Sequence, residues 1–324
     1  MTTLTKYDAT YVPAGQGFVN LGATCYFNSL LQCLLSCPSI YQTLKAIEHK
    51  EYVKQNNLAK NMIKLWDAAL KGEPIHSLCI PIWRDIIAIA RSKADRIRMD
   101  SGQQDAHEGL MMFLDAMESI PEVRQLFEHR HRTQILCEKC KEFVVDKKET
   151  NVVFEVQPDL KTDQVERFKV IDNFYQSVMS LNDFLIKQNG YADKDFRCPK
   201  EIGTKMVDDK KVPVYCGALG EKFRTTVLTM IPEILPVVIK KYYRKINTPF
   251  PARLEFVAKG GTKKYIYELV AQSEHSGGME GGHYWAMCKR ADGWKTLNDG
   301  SVSNGNPGPT ENSYVIFYHY VGEI

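Results

Sequence analysis

Asn20-Leu21-Gly22-Ala23-Thr24-Cys25-Tyr26-Phe27-Asn28-Ser29 decides how the rest of the chain is read. A glycine-bearing turn runs into an amphipathic stretch, with Phe27, Leu30, Leu31, Leu34 and Leu35 at three- and four-residue spacing after Cys25. The spacing predicts a helix that begins at the cysteine. A helix start favours an anion, through its free N–H groups and its dipole, and the thiolate is the reactive form of a thiol. A lone cysteine is more often buried and inert, as Cys33 and Cys37 on the same helix are expected to be. What sets Cys25 apart is a second segment far down the chain, Gly281-Gly282-His283-Tyr284-Trp285, with Asn298-Asp299 following it.

His283 begins an alternating run that reads as a strand, and Trp294-Lys295-Thr296-Leu297 reads as its hairpin partner. The hairpin would return Asn298 and Asp299 toward His283. A thiol, an imidazole and a polar group that fixes the imidazole tautomer make up the minimal kit for cysteine acyl transfer. Asn298-Asp299-Gly300-Ser301 also has turn composition, and both roles can hold at once. Asn20 has two roles open to it, a turn former or a carboxamide donor to an oxyanion.

Around these segments the helical pattern persists from Gly22 to about Glu128. Further stripes run through Leu58, Met62, Leu65, Trp66 and Ala69, then Trp83, Ile86, Ile87 and Ala90. A fourth stripe, Leu110 to Met117, is expected to be capped by Ser101. Asp105 and Glu108 share a face there and could clamp a cationic group, although acidic residues in a first turn also simply complement the dipole. After Gln134, runs such as Val152-Val153-Phe154, Val237-Val238-Ile239, Leu254-Glu255-Phe256, Tyr265-Ile266-Tyr267 and Tyr314 to Tyr318 read as strands. Lys259-Gly260-Gly261-Thr262 reads as a hairpin loop, Asp193 to Lys211 as an exposed loop, Asn304 to Asn312 as a loop between strands and Ser273 to Gly282 as a flexible loop. Helices followed by antiparallel strands indicate an α+β fold.

Composition narrows the function. The net charge of +3 comes with no dense basic tract, which makes nucleic acid a poor partner, and no apolar run is long enough to span a membrane. The nine scattered cysteines argue against a disulfide framework and for a reducing compartment. Cys137-Glu138-Lys139-Cys140 is half of a zinc site, but Cys198 and Cys216 are spaced too far apart to read as the other half, so no metal is expected.

Taken together, these motifs resemble the catalytic domain of ubiquitin-specific proteases, the papain-like cysteine deubiquitinases. The cysteine box matches Gly17 to Gln32, the Gln-Gln-Asp box Gln103 to Glu108, and the proline-leucine segment Ile231-Pro232 to Tyr242. The histidine box matches Gly282 to Tyr284 and Trp294 through Asp299 to Val302, so the resemblance runs nearly end to end. His107 stands where the family usually has Gln, and Lys241-Tyr242 where Arg-Phe is commoner.

The resemblance implies a right-hand architecture in a single catalytic domain: a helical thumb over about 17–130, β fingers over about 133–223 and an antiparallel palm over about 224–324. It implies Cys25 as nucleophile, His283 as base and then acid, Asn298 as third triad member, Asp299 as an aid to polarisation, and Asn20 as oxyanion donor. It implies Asp105, Glu108, Gly282 and Tyr284 as ubiquitin-binding residues, with Asp105 and Glu108 facing arginines of the ubiquitin tail. The implied activity is cofactor-independent hydrolysis after ubiquitin's terminal glycine, with ubiquitin and ubiquitinated proteins as partners. A monomer in the cytoplasm or nucleus is expected. A hydrolase of another ubiquitin-like modifier and a catalytically dead ubiquitin-binding module are the rival expectations.

Overall fold

The computed structural model describes residues 4–92, 105–137, 139–156, 197–219, 222–240, 247–257, 263–278 and 281–324. Seven α-helices come first among these: α1 (Cys25–Leu34), α2 (Pro38–Ile47), α3 (Glu51–Gln55), α4 (Asn57–Leu70), α5 (Cys79–Ser92), α6 (Ala106–Ala116) and α7 (Pro121–Gln125). The strands that follow are β1 (His129–Cys137), β2 (Phe143–Asn151), β3 (Phe154–Val156), β4 (Glu201–Val207), β5 (Lys210–Tyr215), β6 (Lys222–Met230) and β7 (Ile234–Ile239). The chain closes with β8 (Arg253–Val257), β9 (Lys264–Gly278), β10 (Gly281–Arg290), β11 (Gly293–Asn298), β12 (Ser301–Asn304) and β13 (Ser313–Glu323). The α+β expectation holds, and no described helix is long and apolar enough to cross a membrane.

The palm sheet runs β12-β11-β10-β9-β13-β7-β3, with β8 also paired to β9. Its central strands are buried on both faces: every residue of β7 is buried, as is β13 from Ser313 to Tyr320. That is why these runs are continuously apolar and aromatic instead of alternating. One face carries Leu235, Phe256, Tyr267, Ile316 and Tyr318. The other joins the helical core of Leu30, Leu31, Trp66 and Phe113 through Ala286, Val315 and Phe317. The fingers are a separate sheet in the order β2-β1-β6, and β4 and β5 pair only with each other among the described residues.

Helix α1 is the pivot, because every one of its residues is buried. Its apolar stripe faces the thumb core. Its polar positions Cys25, Asn28, Ser29, Gln32 and, just past its end, Ser36 recur at helical spacing and face the palm. Ser29 Oγ meets Ser273 Oγ on β9 at 2.9 Å. Gln32 offers its backbone oxygen and Oε1 to Arg290 Nη2 on β10 at 2.8 and 2.6 Å. Arg290, 4% exposed, also donates to Ser36 Oγ, so a buried guanidinium sits at the negative end of the α1 dipole.

Several expectations change here. Helix α6 starts at Ala106 with Asp105 as its N-cap; Ser101, the expected cap, lies outside the described residues. Residues 201–211 are not loop but most of the β4–β5 hairpin, whose exposed strands mix charged and apolar residues without a regular apolar period. Ser273–Gly278 and Gly281–Gly282 are strand ends paired across a hairpin, not an open loop. Val152 and Val153 bend between β2 and β3, and β3 joins the palm in parallel with β7 rather than the fingers. The fingers begin at His129 and end at Met230. The expected loop at 259–262 falls outside the described residues, but β8 and β9 pair as the hairpin reading requires.

Candidate active site

Cys25 is the first residue of α1 and is 4% exposed. No side chain caps that helix start: Thr24 sits at the cap position, but its hydroxyl accepts the Leu21 N–H at 3.0 Å instead. The approach is wound around Asn20. Asn20 Oδ1 accepts Gly22 N–H at 2.9 Å, Thr24 N–H at 3.4 Å and Thr24 Oγ1–H at 3.3 Å. The amide is thereby oriented, and its Nδ2 donates to Asp299 Oδ2 at 2.9 Å. The turn-forming role and a donor role for Asn20 are compatible. Its oxygen makes the turn, and one of its two N–H bonds goes to Asp299.

His283 lies at the start of β10, half-buried, and its Nε2 meets Asn298 Oδ1 at 2.6 Å. An amide oxygen only accepts, so Nε2 carries the proton and Nδ1 keeps its lone pair. The pairing is set by the sheet. Asn298 ends β11, which runs antiparallel to β10 from Arg290↔Gly293 to Ala286↔Leu297. The ring of Trp285 stacks on the imidazole at 6.3 Å.

Asp299, expected to aid polarisation, makes its side-chain bonds toward α1 and the approach to it. It occupies the tight turn between β11 and β12 at φ 49°. That conformation suits Asp better than most residues. Its carboxylate points to α1, with Oδ1 accepting from Asn28 Nδ2 at 2.8 Å and Oδ2 from Asn20. Its carbonyl accepts Phe18 N–H at 2.8 Å. Adjacent residues therefore divide the work: Asn298 sets the imidazole, and Asp299 ties the β11–β12 turn to the nucleophile's approach. A Cβ at Gly17 would lie 2.5 Å from the Asp299 carbonyl oxygen, so only glycine lets the two segments meet.

Asn28, 3% exposed, is a site residue that sequence reasoning missed, and it also donates to the Val19 carbonyl at 3.1 Å. Its place in the polar row of α1, one helical turn after Cys25 and one before Gln32, was the available signal.

Asp105 is chiefly a helix cap. Its Oδ1 accepts His107 N–H at 2.7 Å and Glu108 N–H at 3.3 Å, and its Oδ2 accepts the Tyr314 hydroxyl. Glu108 is open to solvent on its outer side, and desolvation of its carboxyl by the surrounding protein, then the charge of Asp105, raises its pKa. Burial pulls the pKa of His107 downward.

The ring of Tyr284, expected at the substrate surface, is 4% exposed. It stacks on His275 at 4.3 Å, and its hydroxyl takes the Ala106 N–H, tying β10 to the start of α6. Burial pushes that hydroxyl's pKa far up. Gly282 pairs with Gly277, and a Cβ on it would come 2.1 Å from Ser276 O and 2.4 Å from His275 Nε2. Cross-strand approach is thus reason enough for glycine there, beyond any narrow substrate.

The spacing argument against a metal fails. Cys137, Cys140, Cys198 and Cys216 bring their sulfurs within 4.8 Å of one another. The β4–β5 hairpin folds the distant pair together. Two S···S distances are 3.8 and 3.9 Å. A tetrahedron with bonds of ~2.3 Å has edges of about 3.8 Å, the zinc–thiolate geometry. Cys137 Sγ accepts the N–H groups of Cys140 and Lys139, Cys140 Sγ that of Glu142, and Cys198 Sγ that of Lys200. None of the nine cysteines is joined in a disulfide. Four thiols so arranged fit a structural zinc ion.

The family model for ubiquitin carboxyl-terminal hydrolase matches residues 16–318. Ubiquitin carboxyl-terminal hydrolase 4 of Saccharomyces cerevisiae (strain RM11-1a) is 24% identical over 99% of this chain and 40% of its own length. The human ubiquitin carboxyl-terminal hydrolase 2 is 26% identical over 93% of this chain and 54% of its own, so the chain spans about half or less of these relatives. The solved SAGA Ubp8/Sgf11/Sus1/Sgf73 DUB module bound to ubiquitin aldehyde aligns with a TM-score of 0.67 at 19% identity, over 97% of this chain and 71% of the other. The module bound to monoubiquitin gives 0.69 at 19%, over 98% and 72%. At that identity the likeness shows the fold, which is the papain-like one. With the match covering nearly the whole chain, the protein belongs to the ubiquitin carboxyl-terminal hydrolases, in the ubiquitin-specific protease family.

Proposed function

We propose that this chain is a cysteine deubiquitinase that hydrolyses the isopeptide or peptide bond after ubiquitin's C-terminal glycine, acting as a monomer in the cytoplasm or nucleus. The observation that carries the reading is the His283 Nε2–H bond to Asn298 Oδ1 at 2.6 Å, on a strand packed against the helix that Cys25 opens. That bond leaves Nδ1 as the nitrogen able to take a proton from a thiol.

Cys25 Sγ gives up its proton to His283 Nδ1 and attacks the glycine carbonyl carbon. The oxyanion that forms is met by the N–H of Cys25 and by the second Nδ2–H of Asn20, the first being held by Asp299. His283 then protonates the departing lysine amine as the C–N bond breaks, leaving a thioester. Water attacks that thioester, gives a proton to His283, and frees ubiquitin's carboxylate with the thiol restored.

Exposed Glu108 and the glycine-lined mouth of the β9–β10 hairpin supply a negative, narrow approach for a tail. Asp105 keeps acceptor capacity beyond its capping bonds. Zinc on the four thiols would brace the fingers and take no part in the chemistry.

Turnover of ubiquitin carrying a C-terminal fluorogenic amide, measured beside the same amides of ubiquitin-like modifiers, tests the reading. Hydrolysis of the ubiquitin substrate that disappears in Cys25→Ala supports it. Preference for another modifier would overturn the substrate, and binding of ubiquitin without turnover would overturn the activity.

A further inference from the structure

Residues 199–215 lie between two members of the thiol cluster, Cys198 and Cys216, and most of them form the β4–β5 hairpin. Among the described residues, that hairpin joins no larger sheet. Every β4 residue is exposed, as is every β5 residue but half-buried Val214, with Ile202 at 53%, Met206 at 60% and Tyr215 at 56%. Its strands pair only with each other among the described residues. An isolated two-stranded hairpin is marginal in water. The turn contributes locally: Asp208 and Asp209 take φ 48° and 60°, the left-handed pair that matches strand twist. Nothing along the described strands adds a buried apolar face.

What fixes the hairpin is its root. Cys216 N–H donates to Lys200 O at 2.8 Å, Gly217 N–H to Cys198 O at 3.1 Å, and Cys198 N–H to Ala218 O at 3.1 Å. These bonds set Cys198 and Cys216 side by side. Cys216 Sγ then meets Cys137 Sγ at the end of β1, and Cys198 Sγ meets Cys140 Sγ in the turn that leads to β2.

We propose that a zinc ion on these four thiolates is what orders residues 199–215, bolting an inserted hairpin by its root to the finger sheet, so that the arm is presented only in the metal-loaded protein. Two ligands come from the finger sheet and two from the ends of the insertion, so one ion closes the insertion into a loop and joins it to β1 and β2. Binding energy of this kind appears as local folding energy. Removal of the metal leaves four thiols and a hairpin with no packed face. The arm that the metal holds out carries Ile202, Met206 and Tyr215 beside Lys205, Lys210 and Lys211.

The proposal rests on the zinc reading of the cluster, and the test separates the two. The full chain, kept reduced with a phosphine, is assayed for metal by mass spectrometry and digested with trypsin before and after chelation, with cut sites mapped. One zinc per chain is expected, and chelation speeds cleavage after Lys205, Lys210 and Lys211 about tenfold or more while the thumb and palm stay protected. Re-addition of zinc restores protection. Cys198→Ser behaves like the chelated chain. A variant with residues 199–215 replaced by two residues, rebuilding a Cys-x2-Cys pair, keeps one zinc. Absence of stoichiometric zinc would overturn the metal reading beneath the proposal. Zinc present but equal cleavage at those lysines before and after chelation would overturn the proposal alone.

Discussion

The seam between α1 and the palm and the tip of the fingers are held by different means. At the seam, Asn28, Ser29, Gln32, Ser36, Ser273 and Arg290 meet in partner-satisfied bonds beside a continuous apolar core, with half-buried Asp299 closing the set at its edge. At the finger tip, four thiols and a few backbone bonds anchor strands whose side chains are nearly all in water. A buried polar network gives one arrangement, because each unmade bond costs more than it returns when made. A hairpin without a packed face depends on whatever closes its root. The fold therefore makes the candidate chemistry rigid and leaves its outer arm conditional on a ligand.

The comparison can be broken at several places. Cys25→Ala removes the nucleophile and should lower turnover by about 10⁶-fold. The thermal transition and the trypsin pattern of the arm should stay unchanged; a large stability loss would mean that the seam and the nucleophile are not separable.

The tie between Asn20 and Asp299 is open to a double-mutant cycle. Asn20→Ala should lower kcat by about 10²–10³-fold with ubiquitin affinity nearly intact. Asp299→Ala should cost a similar amount, because it removes the acceptor for Asn20 and Asn28. The double variant should be little worse than either alone. Multiplying losses would instead give Asp299 a role through His283.

Acidity should strike the palm and the base of the fingers. Burial holds His319 down to about 4 and His129 down to about 3. His319 Nδ1–H donates to Tyr320 O, so Nε2 accepts the Ser39 hydroxyl and the ring is neutral. An unfolded chain protonates both rings below about pH 6.5. The folded state resists, so stability falls as pH drops from about 6.5 toward 4. Urea titrations at pH 7.5 and 5 should show the loss, and His319→Gln should flatten it. A pH-independent midpoint in the wild type would contradict the burial argument.

The smallest effect lies on β2. Lys147 and Glu149 form an exposed ion pair, and Lys147→Ala should change unfolding free energy by less than about 0.5 kcal/mol. A larger change would show that the finger surface carries more of the stability than its exposure allows.

Much of this was legible in the sequence, for reasons that explain the misses. The α1 stripe after Cys25 and the alternation from His283 to Cys288 are local periodicities, and local periodicity survives in one dimension. Asn298 was legible as well, because a hairpin fixes its register to His283. Asp299 was legible only as a turn residue, since its partners Asn20 and Asn28 lie at the other end of the chain. Tyr284 follows the same rule: its alternation gave the strand, but its burial depends on His275 and on the start of α6. The thiol cluster was hidden by the charged hairpin between Cys198 and Cys216, whose exposed strands carry no apolar pattern.

The most direct test is ubiquitin bearing a C-terminal electrophile, incubated with the chain and followed by peptide mapping. A single adduct on Cys25 is expected, abolished in Cys25→Ala and strongly slowed in His283→Ala. Ubiquitin that binds without modifying any thiol, or that modifies a cysteine other than Cys25, would contradict the account.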